Sequence, residues 1–275
     1  METIEISVRG HVGYVMLNRP EKLNAFNAQM HQDLAAGLAA HVADPHVRCV
    51  VVHGAGRAFS AGGDMSGGGR GADPDAHRYA YDDWTGLRAA LLRWLAVWDC
   101  PKPVLSAVHG YCFGTATLLA AMSDMTVVAE DARISWPQLP VGGGMLAPVS
   151  QWLIGTKKAR EMSYIAGSSF TGTEAVALGW ANVAVPAETV LERATAMADA
   201  VARTPSDVLA VKKRALNRAM DIQGFREAVQ FGAEFDAIAH HTRGADGLTR
   251  ARAQLGLKET IAAFGRGELG GDDAW

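Results

Sequence analysis

Cysteine is scarce in this chain of 275 residues: it occurs only at Cys49, Cys100 and Cys112. Three thiols cannot pair evenly, and their spacing matches no zinc motif, so neither a disulfide framework nor a structural zinc site is expected. The chain is assigned on this ground to a reducing, cytoplasmic setting. Excess positive charge is also missing. Lys and Arg number 26 against 29 Asp and Glu, a net charge of -3, which argues against nucleic acid as a partner. No uninterrupted apolar run approaches the ~20 residues that cross a bilayer, and the first residues, METIEISVRG, carry no signal-peptide core. No membrane association follows. HExxH, the P-loop and a supported GxSxG are all absent from the sequence, so no metal and no resident cofactor are expected.

What the chain does have is glycine at two informative places. The apolar run Cys49–Val52 reads as a buried strand, and RAFSAGGDM, Arg57–Met65, follows it closely. Gly62 and Gly63 let a backbone approach a ligand and adopt unusual dihedrals. A second apolar run, Pro103–Val108, leads into HGYCFGT, His109–Thr115. Two turns of small residues at two strand ends supply backbone N–H donors of the kind an oxyanion hole needs. Each turn alone is weak evidence, because most glycine turns only redirect the chain.

The remaining chain alternates strands and helices to about residue 185. Thr3–Val8 and Val12–Leu17 read as a hairpin. A helix capped by Asn27 runs to about Val42 and stops at Asp44-Pro45. Gly62–Asp75 reads as a loop, followed by a helix over Asp82–Trp98 whose Trp84, Leu87, Leu91, Trp94, Leu95 and Trp98 form a core-facing stripe. Thr115–Met122 is a small-residue helix, and Met125–Ala129 and Arg133–Trp136 are short strands. Leu146–Ile154, Thr156–Ile165 and Thr173–Leu178 read as helices, with Thr173 as cap and Gly179 as stop. After Pro186 nearly everything to Phe264 is helical, broken near Thr204-Pro205 and Gly244. Residues 1–190 are therefore expected to form a core, and 191–275 a helical region.

In this order, LNRPEKLNAF, VVHGAGRAFSAGGD, PKPVLSAVHGYCFG, SDMTVVAEDARISWPQ and TGTEAVALGWANVAVP resemble the enoyl-CoA hydratase/isomerase, or crotonase, superfamily. The resemblance covers roughly Ile4 to Gln230. It implies an α/β fold, a crotonase-like spiral of ββα units with a helical C-terminal oligomerisation region. It also implies a homotrimer or a hexamer built as a dimer of trimers, and an acyl-CoA substrate that brings coenzyme A itself. Carried onto this chain, the oxyanion donors are the backbone N–H groups of Gly63 and Thr115. Lys22, Leu23, Asn24 and Ala25 would lie against the nucleotide end of coenzyme A, with Ala61, Gly62, Asp64 and Met65 beside the rest of it. Trp136, with Tyr111 and Cys112, would line the acyl pocket.

The chain departs from that pattern at the two glutamates with which the hydratases place and activate water. Their positions hold Leu118 and Gln138. Leucine carries no proton to exchange, and glutamine can orient water without acting as its base. Each such group typically contributes ~10²–10⁴-fold, so simple hydration is not the expected reaction. Replacements are not singled out. His109 reads as a packing histidine, and His77, Tyr79, Tyr81 and Asp83 as solvated surface residues. His240-His241 is a poor metal pair, because adjacent helical residues point apart. Either Asp246-Gly247 or Glu259–Phe264 would reach a neighbouring subunit's coenzyme A. The expected activity is oxyanion-assisted chemistry on an acyl-CoA, with isomerisation, hydrolysis or lyase chemistry open. Two alternatives stand beside it: a non-catalytic acyl-CoA-binding or assembly protein, and a hydrolase of a free diketone.

Overall fold

A computed structural model of the chain describes residues 1–65, 79–136, 147–165 and 167–269. Strands β1 (Ile4–Arg9) and β2 (Val12–Leu17) form the expected antiparallel hairpin, with Ile4 opposite Leu17. Helix α1 (Ala28–Ala43) starts at Asn27, whose side chain accepts the Met30 N–H at 2.8 Å. That bond satisfies one of the orphan donors of the first turn. Strand β3 (Cys49–Gly54) follows, and Cys49 through Val52 are fully buried. A central parallel strand is covered on both faces, which explains an unbroken apolar run rather than an alternating one. Helix α2 (Ala80–Trp98) turns Leu91, Trp94, Leu95 and Val97 into the core. Trp94 meets Phe26 edge-on, with ring centroids 5.3 Å apart.

Two ββα turns come next: β4 (Val104–Val108), β5 (Tyr111–Phe113) and α3 (Thr115–Met122), then β6 (Met125–Ala129), β7 (Arg133–Ser135) and α4 (Ala147–Tyr164). They are followed by β8 (Ser169–Thr171), α5 (Gly172–Leu178) and β9 (Val183–Val185). One sheet runs β1-β2-β3-β4-β6-β9, parallel from β2 onward; the other runs β5-β7-β8. Each ββα turn thus gives one strand to each sheet. The C-terminal helices are α6 (Val190–Val201), α7 (Ser206–Ile222), α8 (Phe225–His240) and α9 (Arg243–Gly265). Helix α6 packs on β3, β4 and β6, and α8 packs on α2 and α4.

Some details differ from the sequence reading. The cap of α5 is Thr171, not Thr173: its hydroxyl accepts the Glu174 N–H while the Glu174 carboxylate takes the Thr171 N–H, a reciprocal capping box. At α4, by contrast, the reading agrees: Gly155, with non-helical φ 72° and ψ 161°, separates the two helices expected on either side of it. Glycines also break the C-terminal helices, Gly224 between α7 and α8 and Gly256 within α9. Among the described residues no helix is long and apolar enough to cross a membrane.

Candidate active site

The first glycine turn is built by backbone pairing. Phe26 donates to the Gly62 carbonyl at 2.7 Å, and Asp64 donates to the Phe26 carbonyl at 2.9 Å. Gly63 lies between these bonds in an isolated parallel bridge with Phe26. In such a bridge the central residue turns its own N–H to the opposite side. The Gly63 N–H accordingly has no acceptor among the described residues, and Gly63 is exposed.

The second turn lies directly against the first. Phe59 donates to His109 at 2.8 Å, Ser60 to Tyr111 at 3.0 Å, and Phe113 to Ser60 at 3.1 Å. Segment 59–62 and strand β5 therefore run as a short ladder. A Cβ on Gly62 would lie 3.4 Å from the Gly114 Cα. Gly114, at φ 52°, turns the chain into α3, and Thr115 is the first residue of that helix. First-turn N–H groups have no intrahelical partner, and that of Thr115 finds none elsewhere among the described residues. Two adjoining turns thus each present a free donor, one of them at a helix N-terminus where the dipole favours negative charge.

A polar frame holds these turns. Arg19 Nη1 reaches Asp64 Oδ2 at 2.9 Å and the Ala25 carbonyl at 2.6 Å. Leu23 and Asn24 both take left-handed conformations, with φ 50° and 55°, which non-glycine residues adopt only under constraint. The constraint is the Asn24 side chain, fully buried. Its Oδ1 accepts the Arg19 N–H at 2.9 Å, and its Nδ2 donates to Ala55 and Ala58 at 2.8 Å each. Ser60 Oγ closes the knot on the Asn24 carbonyl at 2.8 Å. Asn24 therefore acts on the site by fixing backbone; its amide is spent internally.

The other expected site residues are scattered in exposure. Lys22 and Met65 are exposed, Ala61 is half-buried and Ala25 buried. Arg252 Nη2 of α9 donates to the Met65 carbonyl at 3.1 Å, which ties the C-terminal helix to the first turn within the same chain. Leu118 lies one helical turn after Thr115 and is fully buried. Gln138 lies outside the described residues, as does His77. Trp136 is 5% exposed and packs edge-on against Phe170. Cys112 does not line a pocket: it is fully buried in the β5 ladder. Burial raises the thiols of all three cysteines, that of Cys49 to about 12, so they are inert. His109 Nε2 pairs with the Gly56 carbonyl at 2.9 Å, a packing contact.

Sequence reasoning misplaced Asp83. Tyr79 and Tyr81 are exposed as expected, but Asp83 is buried, with its Oδ2 3.2 Å from His240 Nδ1. Asp236 Oδ1 lies 3.8 Å from the other nitrogen of the same ring, and His241 Nε2 lies 3.7 Å from Asp83. A histidine between two carboxylates clamps the start of α2 to the end of α8. No local pattern announces this, since the partners are separated by 157 residues. A cavity of about 920 Å³ opens elsewhere, between the end of α2 and α7, lined by Trp98, Lys213, Arg218 and Arg226. None of its lining comes from the two turns, so volume alone does not locate the chemistry here.

The two sheets, the ββα spiral and the paired donor turns define a crotonase-fold protein. Residues 7–250 match the family model described as enoyl-CoA hydratase/isomerase. A crystal structure of an enoyl-CoA hydratase/isomerase from Xanthobacter autotrophicus Py2 is 29% identical, with TM-score 0.87, covering 98% of this chain and 99% of that one. A mevalonyl-coenzyme A hydratase of Beauveria bassiana is 31% identical over 75% of each chain. A carnitinyl-CoA dehydratase of Proteus mirabilis is 30% identical over 77% of this chain and 79% of its own. The chain belongs to the enoyl-CoA hydratase/isomerase family.

Proposed function

We propose that the protein is an enzyme that binds an acyl-CoA thioester and stabilises the oxyanion formed at its carbonyl, in a reaction other than simple hydration. The observation that carries this reading is the pair of unengaged N–H groups, Gly63 and Thr115, on two turns locked together by backbone hydrogen bonds. Family membership supports the thioester. Preorganised donors in a fixed frame are the arrangement that stabilises developing negative charge, and losing one in other enzymes costs about 3 kcal/mol. Leu118, apolar and fully buried, argues against water activation at that position. Coenzyme A would lie along Lys22–Ala25 and Ala61–Met65, with the acyl group toward Trp136. No further cofactor is required.

We also propose self-association into trimers or hexamers. Phe231, Phe235 and Ile238 of α8 are 42%, 54% and 62% exposed. An apolar row at helical spacing on a surface helix supports a subunit contact.

The test uses acetoacetyl-CoA, whose enolate has its own ultraviolet absorption. Mixing with the wild-type protein should intensify the enolate band. Gly63→Pro removes one donor and should abolish that gain while free coenzyme A still binds. An equal band in wild type and variant would overturn the oxyanion assignment.

A further inference from the structure

The cavity of about 920 Å³ between the end of α2 and α7 is lined by four cations, Lys213, Arg214, Arg218 and Arg226, against two acids, Asp99 and Asp221. Arg226 and the two acids are engaged with one another. Its Nη1 and Nη2 donate to the Asp99 oxygens at 3.0 and 2.5 Å, and its Nε donates to Asp221 Oδ2 at 3.3 Å. Lys213 is buried and also engaged. It donates to Asp124 Oδ2 at 2.7 Å and to the Val97 and Lys102 carbonyls at 3.3 and 3.4 Å.

Arg214 and Arg218 are left over. Neither has an ion pair or hydrogen bond among the described residues, and both are exposed where they line the cavity. They stand four residues apart on one helix, so their side chains are neighbours, and like charges at that spacing repel. The helix offers no counter-charge. From Val208 to Met220 it carries Lys212, Lys213, Arg214 and Arg218 and no acidic residue. Asp221, next in sequence, is turned to Arg226. Two free guanidinium groups side by side on a cavity wall point to an anion.

The chemistry of the wall narrows that anion. A guanidinium fork matches the oxygens of a carboxylate or a phosphate. Two forks on one wall favour a phosphoryl group, which offers three terminal oxygens and up to two negative charges. The volume is that of a small-molecule site, about 300–1,000 Å³, and is much larger than a phosphate ion needs. The remaining wall includes Trp98, Pro101, Ala210, Val211 and Ala215, an apolar surface for the rest of the molecule.

We propose that the cavity between α2 and α7 binds a phosphate monoester with an apolar body, its phosphoryl group held by Arg214 and Arg218. The lining shares no residue with the donor turns, with Lys22–Ala25 or with Ala61–Met65. The site is therefore separate from the one assigned to the thioester and does not rest on that assignment.

Calorimetric titration of the 275-residue chain with phenyl phosphate, inorganic phosphate and benzoate tests it, at about pH 7.5, where a phosphate monoester is mostly doubly charged. Phenyl phosphate should bind about tenfold more tightly than inorganic phosphate, which lacks the apolar body, and than benzoate, which lacks the phosphoryl group. Arg214→Gln and Arg218→Gln should each weaken phenyl phosphate binding about tenfold, and the double variant should abolish it. The melting temperature of the double variant should be no lower than that of wild type, since a repulsion is removed. Phenyl phosphate bound no more tightly than either comparison ligand, or equally well by a folded double variant, would overturn the site.

Discussion

A methyl group on Gly62 would stand 2.6 Å from the carbonyl oxygen of Phe113, a distance at which something must move. Gly62 also has φ 92°, in the left-handed region that favours glycine. The two donor turns are thus pressed backbone against backbone, and the fit tolerates no side chain at this point. At Gly63, one residue on, an added methyl group would meet nothing within 4 Å. The two glycines therefore serve different ends, one for packing the turns together and one for leaving a donor open.

Substitution should separate those ends. Gly62→Ala is expected to destabilise the protein by roughly 2–4 kcal/mol through clash and left-handed strain. Gly63→Ala is expected to change stability by less than about 1 kcal/mol. Chemical denaturation of both variants measures the contrast, and equal losses would contradict the packing assigned to Gly62.

Asn24 holds three backbone groups that have little access to water. Asn24→Ala should leave them unpaired and cost about 2–4 kcal/mol. The loss should be accompanied by weaker coenzyme A binding, because Leu23 and Asn24 would relax from their left-handed conformations. A variant as stable as wild type would show that the amide is not what maintains this turn.

The Asp83–His240 contact predicts coupling. Asp83→Asn and His240→Gln should each destabilise, and the double variant should lose less than the sum, with a coupling of about 1–2 kcal/mol. Thermal or denaturant unfolding of the four proteins measures it. Additivity within about 0.3 kcal/mol would mean that the two side chains are neighbours without an energetic link.

His31 packs between Phe26 and Trp94, with ring centroids 5.1 and 5.2 Å away. Burial, aided by the charge of Arg93, pushes its imidazole down to about 4. The unfolded chain takes up that proton near pH 6.5, so the unfolded state binds more protons between about pH 6.5 and pH 4. The stabilisation is complete above that window and is lost as the pH falls through it. Discounted for partial exposure, the loss is about 2 kcal/mol. His31→Gln should flatten the pH dependence of stability over this range, and an unchanged slope would contradict the assignment.

Local patterns made much of the fold readable. The hairpin, the Asn27 cap, the buried run of β3 and the core stripe of α2 all follow from neighbouring residues. Three-residue strands are legible unevenly: β7 falls within the expected strand Arg133–Trp136, whereas β5, read as part of a glycine turn, exists because Ser60 and β7 pair with it. Thr171 and Thr173 are both threonines at a helix start, and only the Glu174 spacing separates them. At the site, both donor turns were visible as glycine after an apolar run. The Asn24 knot, the Asp83 clamp and the walls of the cavity between α2 and α7 depend on contacts between distant segments, which sequence spacing does not encode.

Calorimetric titration with acetoacetyl-CoA, with free coenzyme A as control, bears most directly on the thioester site. Micromolar affinity is expected, with the acyl ester bound more tightly than coenzyme A alone. Absence of binding by both would mean that the two donor turns do not serve a coenzyme A thioester.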